Sequence, residues 1–481
     1  MQPFIFRVLL IFLGASCLAT PFLYADDATD LEKLNGLSAV LPKKVELPSN
    51  GASPLLINAQ NLVGAQDLLI PELIAPVRSG DVVLGALASL PFEWRYDEAF
   101  YRPENQLALG QAGELTELSV LKRGLAFPSL KDIDKPTFSE EKGAQALLWN
   151  INSIWWSLGA FKFDFQLLRL GDKGPELKLA GALERLYPKI INQEDKTEQL
   201  FRELVRFDSP TALRGLSYLS FRLYTAEEDF LWLYSVAIKA TRELTGPNRT
   251  DTILRSGVSL DDLLVWSGNP SSVQSKFAGI SKKLVPFRIL KVLKSAGADK
   301  ERCSNIFLSG TATSVQAEAN WNFETEQYPQ AANWLPTGST FFPRDVIRLD
   351  LVSTNPFSLY GRQVLYVDKE SMLPVYKIVF DRSGRHWKSV IGSFALVEEQ
   401  GRSMVVPVYE IVVDVIRNQA TLLEYTRARI CPAYSADLKL QDFDPHHLGP
   451  VSAEIATKSK TKAAQPTPTA EPEEPADGIL D

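Results

Sequence analysis

Catalysis by protons or nucleophiles needs reactive side chains that converge, and this chain supplies few of them. It has 3 histidines. His446 and His447 are adjacent, and such neighbours rarely ligate one ion together; His386 stands beside Trp387 in a strand-like run and reads as a structural residue. The acidic pairs Glu227-Glu228, Asp261-Asp262 and Glu398-Glu399 fall at turns or helix starts, where neighbouring side chains diverge. Two-carboxylate hydrolysis depends on separation in space, so a hydrolase with carboxylates from distant strands stays open as a third reading. There is no nucleophile elbow, no glycine-rich phosphate loop and no zinc spacing. The residues predict no catalytic group, no metal and no cofactor, and hence not an enzyme.

What remains is aromatic and cationic. Tyr218, Tyr224, Trp232 and Tyr234 lie in two runs that alternate with Leu219, Phe221, Leu223, Leu231 and Leu233 around a turn at Ala226-Glu227-Glu228. That grammar predicts a hairpin, and the four rings are expected to line one sheet face. If that face is open, it offers apolar area to an acyl chain; if helices cover it, the same rings are ordinary core. Arg242 and Arg249 likewise have two readings. They close a loop by pairing with Asp229, Asp251 or Asp261, which is the favoured one, or they face a lipid headgroup, whose phosphate suits a guanidinium.

Period-2 alternation predicts the elements that position these groups. It runs through 275–287, 305–318, 346–353, 359–368, 374–381, 386–398, 404–417 and 421–427. Asp368-Lys369-Glu370-Ser371 and Asp381-Arg382-Ser383-Gly384 supply turns between the last of these. Helical spacing of Leu147, Leu148, Ile151, Trp155 and Leu158 after the capping box Thr137-Phe138-Ser139-Glu140 predicts an amphipathic helix over 138–159. A second helix is predicted over 194–207, and a short one from Ser259 that Gly268 ends. Short strands at such spacing indicate antiparallel pairing rather than βαβ units. The fold class expected is α+β, with a large curved antiparallel sheet and helices packed on or plugging its concave face.

The ends read differently. Arg7 followed by the apolar run Val8 to Ala19 predicts a secretory signal, cleaved after Ala25 or alternatively after Ala19. Lipidation at Cys17 is a minor alternative. Removing Arg7 takes the formal charge from −7 to −8, and no basic tract fits nucleic acid. From 451 to 481 the chain is dominated by Ala, Thr, Pro, Glu and Lys and has no aromatics, which predicts disorder. The organisation expected is a signal peptide at 1–25, a mixed segment at 26–110, a curved-sheet domain at 111–450 and a tail at 451–481. In an oxidising compartment such as the periplasm, the remaining Cys303 and Cys431 are expected to form a disulfide, with two separate buried thiols as the alternative.

Four segments carry a family resemblance. They are Gly124-Leu125-Ala126-Phe127-Pro128 with Trp149-Asn150; Asp229 to Tyr234 with Arg242; Asn248-Arg249-Thr250-Asp251 with Leu260-Asp261-Asp262 and Trp266-Ser267-Gly268; and Tyr366-Val367-Asp368 with Asp381, Gly384 and Trp387-Lys388. In order and spacing, over about residues 110 to 448, the chain resembles an uncharacterised exported Gram-negative family grouped with outer-membrane lipoprotein-sorting proteins, the Lol-type half-barrels. It departs from the pattern at Ala126, where the family has proline. The resemblance implies a periplasmic carrier for a lipid, a lipoprotein acyl chain or another apolar molecule, in peripheral contact with membranes. It also implies an inner-membrane partner of the resistance-nodulation-division class. The alternative is a non-catalytic envelope scaffold whose sheet is filled by its own helices.

Overall fold

Alternation builds the sheet that the chain folds into. In β5 (Ala160–Gly171) Phe161, Phe163 and Phe165 point one way, while Lys162, Asp164 and Gln166 point the other. This computed structural model describes residues 44–449 apart from 91–107, 112, 117–126, 128–139, 154–158, 172–173, 193–194, 196, 226–227, 289–292, 295–302, 309–338, 400–401 and 436–437. The expected signal peptide and tail lie outside the described residues.

Four short strands come first: β1 (Leu55–Ile57), β2 (Leu84–Ala86), β3 (Ala108–Leu109) and β4 (Leu115–Thr116). Helices α1 (Leu62–Ala65), α2 (Pro71–Ser79) and α3 (Glu140–Ser153) are interspersed with or follow them. A first antiparallel meander comprises β5, β6 (Gly174–Leu186), β7 (Gln199–Ser209), β8 (Ser217–Leu223), β9 (Phe230–Ser235) and β10 (Ala240–Leu244), with the short helix α4 (Pro188–Ile191) between β6 and β7. Next come β11 (Val273–Phe287), β12 (Leu293–Lys294) and β13 (Ser304–Phe307). The second meander is β14 (Thr340–Ser353), β15 (Tyr360–Asp368), β16 (Pro374–Asp381), β17 (His386–Glu399), β18 (Arg402–Asp414) and β19 (Gln419–Cys431).

Pairing of β19 with β5 joins the two meanders, and β11 pairs with β14 at the far edge. The neighbour order is therefore β10-β9-β8-β7-β6-β5-β19-β18-β17-β16-β15-β14-β11. Bulges interrupt most ladders, and each bends its strand. Pro407 sits at the β17–β18 bulge, where a residue without an N–H costs no ladder bond. The expected α+β class with one large antiparallel sheet is what the protein has.

One face of this sheet, here termed the front, is covered by α3 and by the segment 246–272 that crosses from β10 to β11. Gln145 on α3 accepts a hydrogen bond from Ser275 on β11, and Asn152 reaches Gly268 O in the crossing segment. On the back of the first meander, Leu438, Phe443 and Leu448 pack on Leu186, Leu204, Leu219 and Phe221. Beside them Cys303 and Cys431 are disulfide-bonded, with S–S 2.10 Å and Cα–Cα 4.2 Å across 128 residues.

Two expectations need correction, and two strands add to what the sequence predicts. Residues 199–209 form strand β7, not part of a helix over 194–207. Leu200, Phe201, Leu204, Val205 and Phe207 are buried on both faces, and the polar positions that mimicked a helix's wet side include Glu203, itself buried in ion pairs. β5 and β6 were not predicted at all, although the Phe161, Phe163, Phe165 alternation was present to be read. The helix from Ser259 is a single 3-10 turn at Leu260–Asp262, ended at Leu263 and not at Gly268. The helix expected over 138–159 is described at Glu140–Ser153, and the strand expected over 305–318 at Ser304–Phe307; their remaining residues lie outside the described set or, at Gly159 and Leu308, outside the element.

Candidate functional site

The segment 246–272 forms a strap of 3-10 turns with no long helix or strand of its own. Capping boxes at Thr245/Asn248 and Ser259/Asp262 shape two of these turns. Leu260, Leu263, Leu264, Val265 and Trp266 are buried on the front of the sheet. Leu264 and Val265 do this at φ 56° and 68°, a left-handed backbone that a β-branched residue rarely adopts. Gly392 on β17 leaves the room: a Cβ there would lie 2.2 Å from Val265 Cγ2.

Buried charges pin both flanks of this apolar stretch. Asp262 lies 2.6 Å from Lys377 Nζ on β16 and 3.1 Å from Lys388 Nζ on β17, and all three side chains are fully buried. Tyr360 Oη donates to the same carboxylate at 2.8 Å. Burial alone would raise the Asp262 carboxyl, but Lys377 and Lys388 outweigh it and hold it well below the ordinary value. Burial lowers Lys388, against the pull of Asp262.

A second cluster holds three arginines and three carboxylates. Arg249 on the strap contacts Asp261 at 2.7 Å and Asp229 and Glu203 at 3.4 Å each. Arg222 on β8 binds Asp229 at 2.7 Å and donates to Gly268 O and Ser267 O of the strap. Arg185 on β6 pairs with Glu203 and donates to Ser267 Oγ at 2.9 Å. For Glu203, burial favours the neutral acid, yet Arg185 and Arg249 outweigh it and lower its pKa. For Asp261 burial wins over Arg249, and its pKa is raised. Past the apolar stretch, Glu410 on β18 accepts from Leu264 N and from Tyr425 Oη, both at 2.6 Å; burial pushes this carboxyl up to about 7.

Beside the arginine cluster lies a polar cleft lined in part by Asp229, Arg249, Asp261, Asn269, Ser358 and Gln363. Its carboxylates Glu228, Asp229 and Asp261 are engaged by guanidinium groups or amides. No group of three or more metal-ligating side chains occurs among the described residues.

The predicted site residues are distributed as follows. Tyr218 faces Leu233 across the β8–β9 ladder, whereas Leu219 faces Trp232 and Ser217 faces Tyr234. Directly opposed residues share a face, so Tyr218 is on the front with Leu233, and Trp232 and Tyr234 are on the back. The expectation of four rings on one face is corrected. The two runs were each read with the right period, but the register between them is set by the turn, and one step reverses a face. Trp232 and Tyr234 pack beside Phe443 and Leu448, and Tyr224 is half-buried just beyond β8 against the larger core. Arg242 is exposed on edge strand β10, while Arg249 is buried in the three-carboxylate cluster. Sequence reading missed Arg185, Glu203, Arg222, Lys377 and Glu410 as site residues; charged residues inside otherwise apolar strands were the available signal.

Some of the segments that carried the resemblance meet here, while Asp368 pairs with Arg344 and Asp381 with Arg385 elsewhere. Asn150 clamps Phe127 through both backbone groups, at 2.7 and 3.1 Å. Asp229, Arg249, Asp261, Asp262 and Lys388 contribute charges to the two ionic clusters, and Ser267 and Gly268 contribute backbone carbonyls. Fold and site together define a class of protein: a single large antiparallel sheet whose front is closed by its own ion-pinned strap. The chain belongs to the DUF1329 family, described as a protein of unknown function, whose pattern matches residues 56–448. It is similar to the crystal structure of a DUF1329 family protein from Desulfovibrio piger, with 14% identity over 65% of this chain and 100% of that one, TM-score 0.42. It is also similar to the LolA superfamily protein NE2245 from Nitrosomonas europaea, with 15% identity over 63% and 99%, TM-score 0.35. No curated protein matches the chain.

Proposed function

We propose that this protein is a non-catalytic periplasmic carrier that takes up a lipid, a lipoprotein acyl chain or another apolar molecule on the front of its sheet and moves it between membranes. The observation that carries the reading is the strained apolar stretch Leu263 to Trp266. It packs on the front of the sheet with Leu264 and Val265 in a left-handed backbone, and Trp266 Nε1 is buried without a hydrogen-bond partner among the described residues. Strain of this kind costs on the order of 1–3 kcal/mol per residue and is relieved when the segment moves. Cargo with similar apolar area replaces the contacts the strap gives up, at about 25 cal/mol per Å². An inner-membrane exporter of the resistance-nodulation-division class is the partner that the family resemblance suggests.

The second reading is a scaffold whose sheet stays filled. Its support is the pair of buried lysines on Asp262, which resist any movement of the strap. Native mass spectrometry of the chain recovered from a periplasmic extract without detergent separates the two. A stoichiometric lipid adduct, identified in the organic extract, is the carrier result. A bare mass that persists after incubation with envelope lipids overturns it in favour of the scaffold.

A further inference from the structure

Three neighbouring hairpin tips of the second meander together expose apolar side chains, on the first and third, and arginines, on the second and third. They are 354–359 between β14 and β15, 382–385 between β16 and β17, and 415–418 between β18 and β19. Arg382 ties the first two together, donating from Nε to Ser358 O at 2.9 Å and also to Asn355 O. Val415 N donates to Trp387 O at 2.9 Å, joining the third to the start of β17 just past the second. Phe357 is 80% exposed, Ile416 51%, Val415 48% and Leu359 44%. A phenylalanine held out at a loop tip loses its apolar burial to no evident local purpose.

The charged residues of the three tips are Arg382, Arg385 and Arg417, with no acidic residue among them. The nearest carboxylates sit lower or to the side. Asp381 pairs with Arg385 at 2.8 Å and Asp414 with Arg417 at 3.4 Å. The carboxylates are 17% and 1% exposed, against 71% and 50% for the arginines. Glu228 accepts from Asn355 on the flank. A surface approaching the tips therefore meets guanidinium groups and apolar side chains first, with the balancing anions behind them. Trp387 lies just beneath, partly exposed, its indole N–H on Asp414 at 3.2 Å, which suits the boundary between lipid and water.

We infer that these three tips form the edge by which the protein docks on an anionic lipid bilayer, with Phe357, Leu359, Val415 and Ile416 entering the headgroup boundary and the arginines meeting lipid phosphates. Interfacial binding of this kind combines apolar insertion with screened attraction to anionic lipid. The inference deepens the membrane contact of the carrier reading without depending on it, since it holds equally if the strap never moves.

Co-sedimentation of the periplasmic-extract protein with vesicles tests it, using phosphatidylcholine alone and phosphatidylcholine mixed with phosphatidylglycerol. The expected result is stronger pelleting on the mixed vesicles. Phe357→Ser combined with Ile416→Ser should lose about tenfold on both compositions. Arg385→Glu with Arg417→Glu should lose only the advantage given by phosphatidylglycerol. Phe230→Ser, at an exposed ring on β9, should change nothing, and unaltered thermal unfolding of the tip variants certifies their folding. No pelleting on either vesicle, or pelleting indifferent to the tip variants, overturns the inference. Sedimentation counts protein on vesicles while native mass counts lipid inside protein, so failure here and failure of the carrier reading are separate results.

Discussion

The Lys388 ammonium lies 3.1 Å from the Asp262 carboxylate, 126 residues away in the chain, and neither side chain has any solvent exposure. This pair joins the strap to the middle of the second meander. Two buried cations share the one acid, so Asp262 is the group whose loss costs most. Replacing it by asparagine leaves Lys377 and Lys388 buried without a counter-charge. Asp262→Asn is expected to destabilise the fold by about 3–5 kcal/mol, read as a lower urea midpoint with unchanged slope. Asp262→Leu combined with Lys377→Met and Lys388→Met should recover a large part of that loss, because removing the whole buried set is far cheaper than orphaning one side.

Arg242 and Arg249 separate the headgroup and structural roles of the arginines. Arg249→Ala takes the guanidinium partner from buried Asp261, leaves Glu203 to Arg185 and Asp229 to Arg222, and is expected to cost about 3–5 kcal/mol in denaturant. Arg242→Glu, at an exposed edge position, should stay within about 0.5 kcal/mol of the parent. A lipid-uptake defect in Arg242→Glu at unchanged stability would favour the headgroup reading for Arg242, which pairs with none of the three expected aspartates.

Two acids make stability fall as pH rises. Burial raises Glu410 to about 7 and Glu424 to about 8. A carboxyl whose folded pKa lies above its unfolded one binds more protons in the native state. Its stabilising contribution is complete below about pH 4.5 and is lost as pH climbs through 7 for Glu410 and through 8 for Glu424. Glu410→Gln should flatten the decline in unfolding free energy between pH 5 and 7, as measured in urea across a buffer series, and should leave the part between 7 and 8 to Glu424.

Gly392 tests whether the strap can be displaced. Gly392→Ala places a methyl 2.2 Å from Val265 Cγ2, and the expected cost is about 1–3 kcal/mol of overpacking. Val265→Ala in the same chain should restore most of it, giving a coupling that a double-mutant cycle measures. On the carrier reading Gly392→Ala also raises lipid occupancy in the native mass spectrum.

Removal of the disulfide weakens the back face. Cys303→Ala with Cys431→Ala opens a covalent loop spanning 128 residues, and a loss of about 2–5 kcal/mol is expected by thermal or urea unfolding. Reduction of the parent protein should reproduce the shift.

Much of the second meander was legible because its strands alternate and its turns are marked. Asp381-Arg382-Ser383-Gly384 lies between β16 and β17 as predicted, with Gly384 at φ 79° and Asp381 Oδ1 accepting from Ser383 N. The site was less legible for one recurring reason. Glu203, Arg185 and Lys377 look like solvent-facing positions to any reading of periodicity, and each is buried against a charge from another part of the chain.

The sequence by itself determined the period of nearly every strand in the second meander, the breaks between them and the family to which the chain belongs, because these rest on local sterics, turn chemistry and residue order. Tertiary structure alone decided that Trp232 turns its back on Tyr218, that Arg249 is buried while Arg242 is not, and that Asp262 meets Lys377 and Lys388. Register is a property of two strands together, and the energy of a buried charge depends on which partner arrives. Neither is written at any single position of the chain.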